Sequence, residues 1–366
     1  MARRVVALVF TAVAGSMLVL WGCGDPLSIV GDIPGLMRIV VGIPESPGQT
    51  AEEQATESRI RGPNGIVIDD SGVLFVADGD NGRILSVTSS GALTVISDNS
   101  SCALGPCLLE PADIALDSEG RLIVADPAGH RVWRFTPTGG EAEIIAGTGM
   151  SGSSPDGYPA AGSALAAPYG VAVGVDGLIY VTESHGARVR TIRPDGTLGT
   201  VAGTGEAGYS GDGGAAISAQ LDFPLGLDLV AGSLYVTDTG NQRIRIVDLE
   251  AGRIGTVAGS GLRGFGGDGG QATAASLAMP KDVAVSADER QLYIADTFNH
   301  RIRLVNLETG RIETYAGTGE QQYSGDLFDA GVTSVSNPSG VATSPFGLLF
   351  ISDPGHAVVW RVALEI

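Results

Sequence analysis

Four aspartates in this chain share one repeated setting. Asp212 lies in Gly208-Tyr209-Ser210-Gly211-Asp212-Gly213-Gly214 and Asp268 in the matching stretch 264–270; Asp156 and Asp326 hold the same offset, nine residues after Gly147 and Gly317. Tyr209, Phe265 and Tyr323 stand beside three of them. A carboxylate caged by glycines could serve a calcium loop, a phosphate cradle or a tight bend. Calcium takes about six to eight oxygens, usually from several carboxylates close in sequence, and each loop offers one. A phosphate cradle wants a lysine or a free helix N-terminus beside its glycines. These loops hold no lysine, and a lone carboxylate repels phosphate. The structural reading explains more: glycines supply positive φ, and the aspartate caps the small-residue stretch 215–220 by accepting backbone N–H bonds.

A second set pairs an acid with an arginine five residues on: Asp78 with Arg83, Asp126 with Arg131, Glu183 with Arg188, Asp238 with Arg243 and Asp296 with Arg301, whereas Asp353 is followed by Val358. Recurrence at this spacing predicts a turn brace in which the pair satisfies local amides and charge. Catalysis needs its residues only once. The four histidines, His130, His185, His300 and His356, all fall in these turns. A metal would need several of them within about 2 Å of one ion. Turns spread around a face do not converge, so the histidines are expected to be surface turn residues. No Ser-His-Asp or Cys-His arrangement stands out.

The elements that position these residues repeat. A proline followed by an alternating apolar run recurs at Pro63, Pro111, Pro168, Pro224, Pro280 and Pro338, with spacings of 48, 57, 56, 56 and 58 residues. Each unit holds four short β-favouring runs separated by turn chemistry and no amphipathic stretch long enough for a substantial helix. One such sheet cannot bury both faces, and six packed radially can. The expected fold is all-β, a six-bladed propeller of four-stranded antiparallel blades. The unit after Pro338 has room for three strands, so residues 36–42 should complete that blade and close the ring. Counting strand directions puts the histidine turns and the glycine-caged aspartates on one face. That face, with Asp156, Tyr209, Asp212, Phe265, Asp268, Tyr323, Asp326 and the four histidines, is the expected ligand face.

The N-terminus reads as a targeting segment. Arg3 and Arg4 precede an apolar run from Val5 to Leu20, which meets Leu20-Trp21-Gly22-Cys23. This resembles the lipobox of bacterial lipoproteins. Residues 1–22 are the expected signal peptide, Cys23 the expected lipidated residue, 23–35 a tether and 36–366 the propeller. The formal charge of −19 would become −21 once Arg3 and Arg4 are removed. Such a chain repels phosphate backbones, which excludes nucleic acid as a partner. Cys102 and Cys107 match neither a redox CxxC nor a zinc motif, and in an exported chain they are expected to form a local disulfide.

The segments Asp296-Thr297-Phe298-Asn299-His300-Arg301-Ile302-Arg303 and Asp238-Thr239-Gly240-Asn241-Gln242-Arg243-Ile244-Arg245 resemble the NHL-repeat family. The linkers at 200–216 and 256–272 look like its bacterial secreted subgroup and are similar to the NHL propeller of teneurins. The resemblance covers about residues 36–366 and implies the fold; one fold hosts many functions. Peptidyl-amidating lyases of this fold bind zinc through histidines after the proline of the first strand. The matching positions here are Asn64, Ala112, Tyr169, Leu225, Lys281 and Ser339, with no histidine, which argues against that activity. RNA-binding NHL proteins present a basic face, which this chain lacks. The expected function is a non-catalytic, lipid-anchored, extracytoplasmic module with no cofactor or metal and no membrane contact beyond its anchor, binding a protein, peptide or glycan. The alternative is a metal-assisted lyase or hydrolase at the channel mouth.

Overall fold

The computed structural model of the protein describes residues 34–48, 50, 53–98, 107–140 and 142–364. The signal peptide, Cys23, most of the tether and Cys102 lie outside the described residues, and with them the expected lipidation and the Cys102–Cys107 pairing. Among the described residues no helix is long and apolar enough to cross a membrane.

Six four-stranded antiparallel sheets make the ring. In each, the run that begins at the repeat proline becomes the innermost strand, and the next runs pair with it in sequence order. In blade 4 these are Pro224–Val230, Ser233–Asp238, Arg243–Asp248 and Arg253–Ala258. Alternation along each strand sends apolar side chains to both faces of the blade, where they meet the neighbouring blade. Leu227, Val236, Val247 and Ile254 of blade 4 pack on Ala172, Tyr180, Val189 and Ala202 of blade 3. The core is therefore six wedges of this kind.

The ring closes as the sequence predicts. Met37–Val41 pairs antiparallel with Val358–Ala363, Met37 opposite Val362 and Ile39 opposite Trp360. This makes an outer strand for the blade begun at Pro338. Trp360, wholly buried, fills the wedge beside it.

Blades splay apart toward the rim, and the linkers fill the gaps. Ala216, Ala219 and Leu221 insert between blades 3 and 4. Linkers also pair with outer strands: Gly213 N–H donates to Ile254 O and Ile254 N–H to Gly214 O in blade 4, and Gly269 and Gly270 do the same with Ile312 in blade 5.

Candidate functional site

The glycine-caged aspartates do not cap the 3-10 turns that follow. The turn at Ala216–Ser218 has no side-chain cap. Asp212 instead accepts Arg245 Nη2 at 2.5 Å, the Tyr209 hydroxyl at 2.9 Å and the Thr256 hydroxyl at 2.8 Å. Gly211, at φ +93, turns the chain so that the carboxylate reaches back over the sheet. One blade on, Asp268 accepts Arg303 and Thr314; in blade 3, Asp156 accepts Arg190 and Thr200.

These arginines also correct the expected turn pairs. The strand-end acid lies opposite the arginine five residues on, Asp238 across from Arg243, yet its ion-pair partner is seven residues on. Arg245 Nη1 is 3.0 Å from Asp238, Arg303 Nη1 is 3.2 Å from Asp296, and Arg190 Nη1 is 3.0 Å from Glu183. Residues two apart share a face of a strand, and the more central one is wholly buried where the acid needs it. The outer arginine turns away: Arg188, Arg243 and Arg301 donate to Thr204, Ser260 and Thr318 carbonyls, and Arg131 to Gly129 and Thr148 rather than Asp126. Asp78 with Arg83, at 2.5 Å, keeps the expected pair, because Leu85 occupies the central position. Asp126 and Asp353 accept Trp133 and Trp360 indole N–H groups instead. Asp326, which faces the Trp360 blade, stays exposed.

The two ends of Arg245 shift in opposite directions. Burial pushes Asp238 up despite its donors, while at half-exposed Asp212 the Thr256, Tyr209 and Arg245 contacts outweigh burial and hold it low.

The histidines depart from surface turn residues in two cases. His356 is 1% exposed, its Nδ1 2.8 Å from Asp353 and its Nε2 2.8 Å from the Gln321 carbonyl. Burial opposes its charge, but Asp353 outweighs that and raises its pKa. His300 is also buried: its Nδ1 accepts Asn337 N–H, its Nε2 meets the Gln321 amide, and burial lowers its pKa. The linker through Gln321 folds over both. His185 is exposed against Phe223, and His130, half-buried, accepts Ala167 N–H. Among the described residues no three His, Cys, Asp or Glu side chains form a metal-binding set.

The channel holds residues that the motif reading passed over. Asp113 and Asp282 both stand two residues after the repeat proline, in blades 2 and 5, which lie opposite each other in a six-blade ring. Asp113 accepts Val171 N–H from the next blade, and Asp282 accepts Val341 N–H likewise, both at 2.9 Å. The preceding blades have glycine at this register. A Cβ on Gly65 would sit 2.3 Å from Asp113 Oδ1, and one on Gly226 would sit 2.3 Å from Asp282 Oδ1. Each carboxylate thus occupies space that its neighbour leaves empty. Burial raises Asp113 to about 7, and burial together with Asp113 raises Asp282 well above the usual range. A cavity of about 630 Å³ lies toward the opposite face from the linkers, walled by Val67, Ile114, Val173 and Leu229 with Asp113, Asp228 and Asp282 in its lining. The signal was legible: an acid in an otherwise apolar run, at an offset where four of six repeats carry glycine.

At the other mouth, burial lowers the Lys281 amine against the opposing pull of Glu110 and Asp80. Burial, then Asp282, Asp113 and Glu110, raise the Tyr169 hydroxyl.

Residues 108–135 match the NHL repeat family model. NHL repeat-containing protein 2 of Gallus gallus is 25% identical over 336 residues, spanning 81% of this chain and 45% of that protein. Teneurin-4 of Mus musculus is 29% identical over 226 residues, spanning 53% of this chain and 8% of that protein. The chain is an NHL-repeat β-propeller. It spans less than half the length of the curated relatives it matches. The propeller is similar in fold to an auxiliary nutrient binding protein from Bacteroides ovatus, with TM-score 0.65, 17% identity, and 90% of this chain and 77% of that one covered. It is also similar to a gluconolactonase from Xanthomonas campestris, with TM-score 0.58, 16% identity, and coverage of 92% and 99%.

Proposed function

We propose that this propeller is a non-catalytic binding module, held at a bacterial membrane by lipid on Cys23 and facing the periplasm or exterior, that takes a protein, peptide or glycan on its linker-bearing face. One observation carries the reading. Of thirteen large apolar side chains exposed among the described residues, ten stand on the inter-blade linkers: Leu109, Met150, Tyr158, Tyr209, Ile217, Leu262, Phe265, Leu327, Phe328 and Val332. Exposed apolar groups gathered on one class of loop, over a rigid scaffold, mark an interaction surface. In blades 3, 4 and 5 the charged groups beneath them are held in acid–arginine–aspartate bridges. The fold's occurrence in a nutrient-binding protein is consistent with this role. In-cell cross-linking and mass spectrometry tests it: a specific partner should link through the linkers, and recovery of abundant bystanders alone would refute it.

A second reading, an acid–base lyase or hydrolase, is favoured by Asp113 and Asp282, two buried carboxylates of raised pKa in the lining of one cavity. Carboxylates held protonated near neutral pH by burial can serve as general acids. Turnover of any substrate that is lost in Asp113→Asn, with the melting curve intact, would establish it over the binding reading.

A further inference from the structure

We propose that the linker face binds a linear, uncharged polysaccharide, each of two aromatic platforms, Tyr209 and Phe265, taking one sugar ring. This rests on the binding reading above and names its ligand class.

The platforms are built alike. The Arg243 guanidinium lies 3.7 Å from the Tyr209 ring centroid with Arg245 at 5.0 Å; Arg301 lies 3.9 Å from the Phe265 centroid with Arg303 at 5.0 Å. Both members of each pair are two residues apart on one strand and pack against the same ring. Tyr209 is nonetheless 43% exposed and Phe265 48%. Each residue thus keeps close to half of its surface open to a ligand although two guanidinia pack against its ring. Cation–π contact fixes each ring in place, so presenting it to a ligand costs little further ordering.

The polar groups at the platform edge suit hydroxyls. The Tyr209 and Thr256 hydroxyls donate to Asp212 and keep their oxygens as acceptors. Asp268 lacks a tyrosine donor and retains a spare acceptor site beside Phe265. A pyranose offers this combination, C–H bonds on its face for the electron-rich ring and hydroxyls on its rim.

Other ligands fit less well. An extended peptide would add to an exposed strand edge, but linker backbone already pairs with the outer strands of blades 4 and 5 at Ile254 and Ile312. An anionic polymer meets the half-exposed carboxylates Asp212 and Asp268 and a formal charge of −19. Two like platforms 56 residues apart in sequence, on adjacent linkers, call for a ligand that itself repeats. Blade 3 has Ser153 at this position, and in blade 6 Tyr323 is half-buried against Trp360 and His356.

The test is affinity electrophoresis and calorimetry of the full chain with cellohexaose, xylohexaose, chitohexaose and maltohexaose, each beside its monosaccharide. At least one hexaose should bind, and monosaccharides should bind far more weakly, because the second platform adds only for a chain that spans both. Tyr209→Leu and Phe265→Leu keep apolar cover over the arginines but remove the flat face. Each should weaken binding about tenfold while the chain still unfolds in one cooperative transition, and Tyr209→Phe, which keeps the flat ring and loses only the hydroxyl acceptor, should weaken it less. No binding to any hexaose, or equal binding by the leucine variants, overturns the glycan assignment. If the double leucine variant also loses a cross-linked protein partner while no sugar binds, the linker face remains the binding surface and only its ligand class falls.

Discussion

Arg245 Nη1 lies 3.0 Å from Asp238 Oδ2, although the residue directly across the hairpin from Asp238 is Arg243. Its second nitrogen reaches Asp212 on the linker, so one wholly buried guanidinium ties the strand end to the loop that covers it. Replacing Arg245 by Met strands the Asp238 carboxylate in the wedge. Breaking a buried pair from one side costs about 3–5 kcal/mol. Arg245→Met should lower stability by that amount in urea unfolding, whereas Asp212→Asn, at the half-exposed end, should cost under about 1 kcal/mol. A Lys at 245 carries the charge but not the fork needed to span both acids, so it should recover only part of the loss.

The channel carboxylates set a pH dependence of definite sign. Asp113 is raised to about 7 by burial, and Asp282 well above the carboxylate range by burial and by Asp113. A raised acid binds its proton more tightly in the folded state, so its stabilisation is fully present below the unfolded value near 3.8 and is lost as pH climbs through about 7. The melting temperature should therefore fall as pH rises from 4 to 8. Asp113→Asn removes the coupling and should flatten that slope; an unchanged slope would place its origin elsewhere.

The fold was legible because it is written six times. A proline, an alternating run and a closing acid, repeated at nearly constant spacing, leave little but a ring, and the 36–42 strand followed from the missing fourth run after Pro338. The site was less legible for two physical reasons. Register tells which residue lies opposite another, not which of two arginines on one strand face is buried, so Arg243 read as Asp238's partner when Arg245 holds it. Burial by a linker distant in sequence is also invisible locally, which is why His300 and His356 read as surface groups. Asp113 and Asp282 were readable in principle, since Gly65, Gly170, Gly226 and Gly340 hold the same offset in the other blades.

Closure of the ring predicts coupling between the two ends of the chain. Met37 and Val362 are partners across the closing strand pair, 325 positions apart in sequence, and both are wholly buried. Met37→Ala should cost about 2–5 kcal/mol through the cavity it leaves. A double-mutant cycle with Val362→Ala should return an interaction energy of about 0.5–3 kcal/mol, where distant sites would add within a few tenths.

Lys281 is the single lysine of the chain, which makes its amine a site-specific reporter on the channel mouth. Burial draws its pKa below the ordinary value of 10.5, while the carboxylates of Glu110 and Asp80 pull it back up. Glu110 is in turn raised by burial and by Asp80 and Asp126, so the two groups report on the same poorly solvated pocket. Reductive methylation with labelled formaldehyde gives a lysine resonance distinct from the chain's α-amine. Its titration midpoint should lie below 10.5, and Glu110→Gln should move it lower still, because removing a nearby negative charge removes part of what stabilises the ammonium. A midpoint at the free-lysine value that Glu110→Gln leaves unmoved would show that the amine stands in solvent and that the mouth of the channel is open around it.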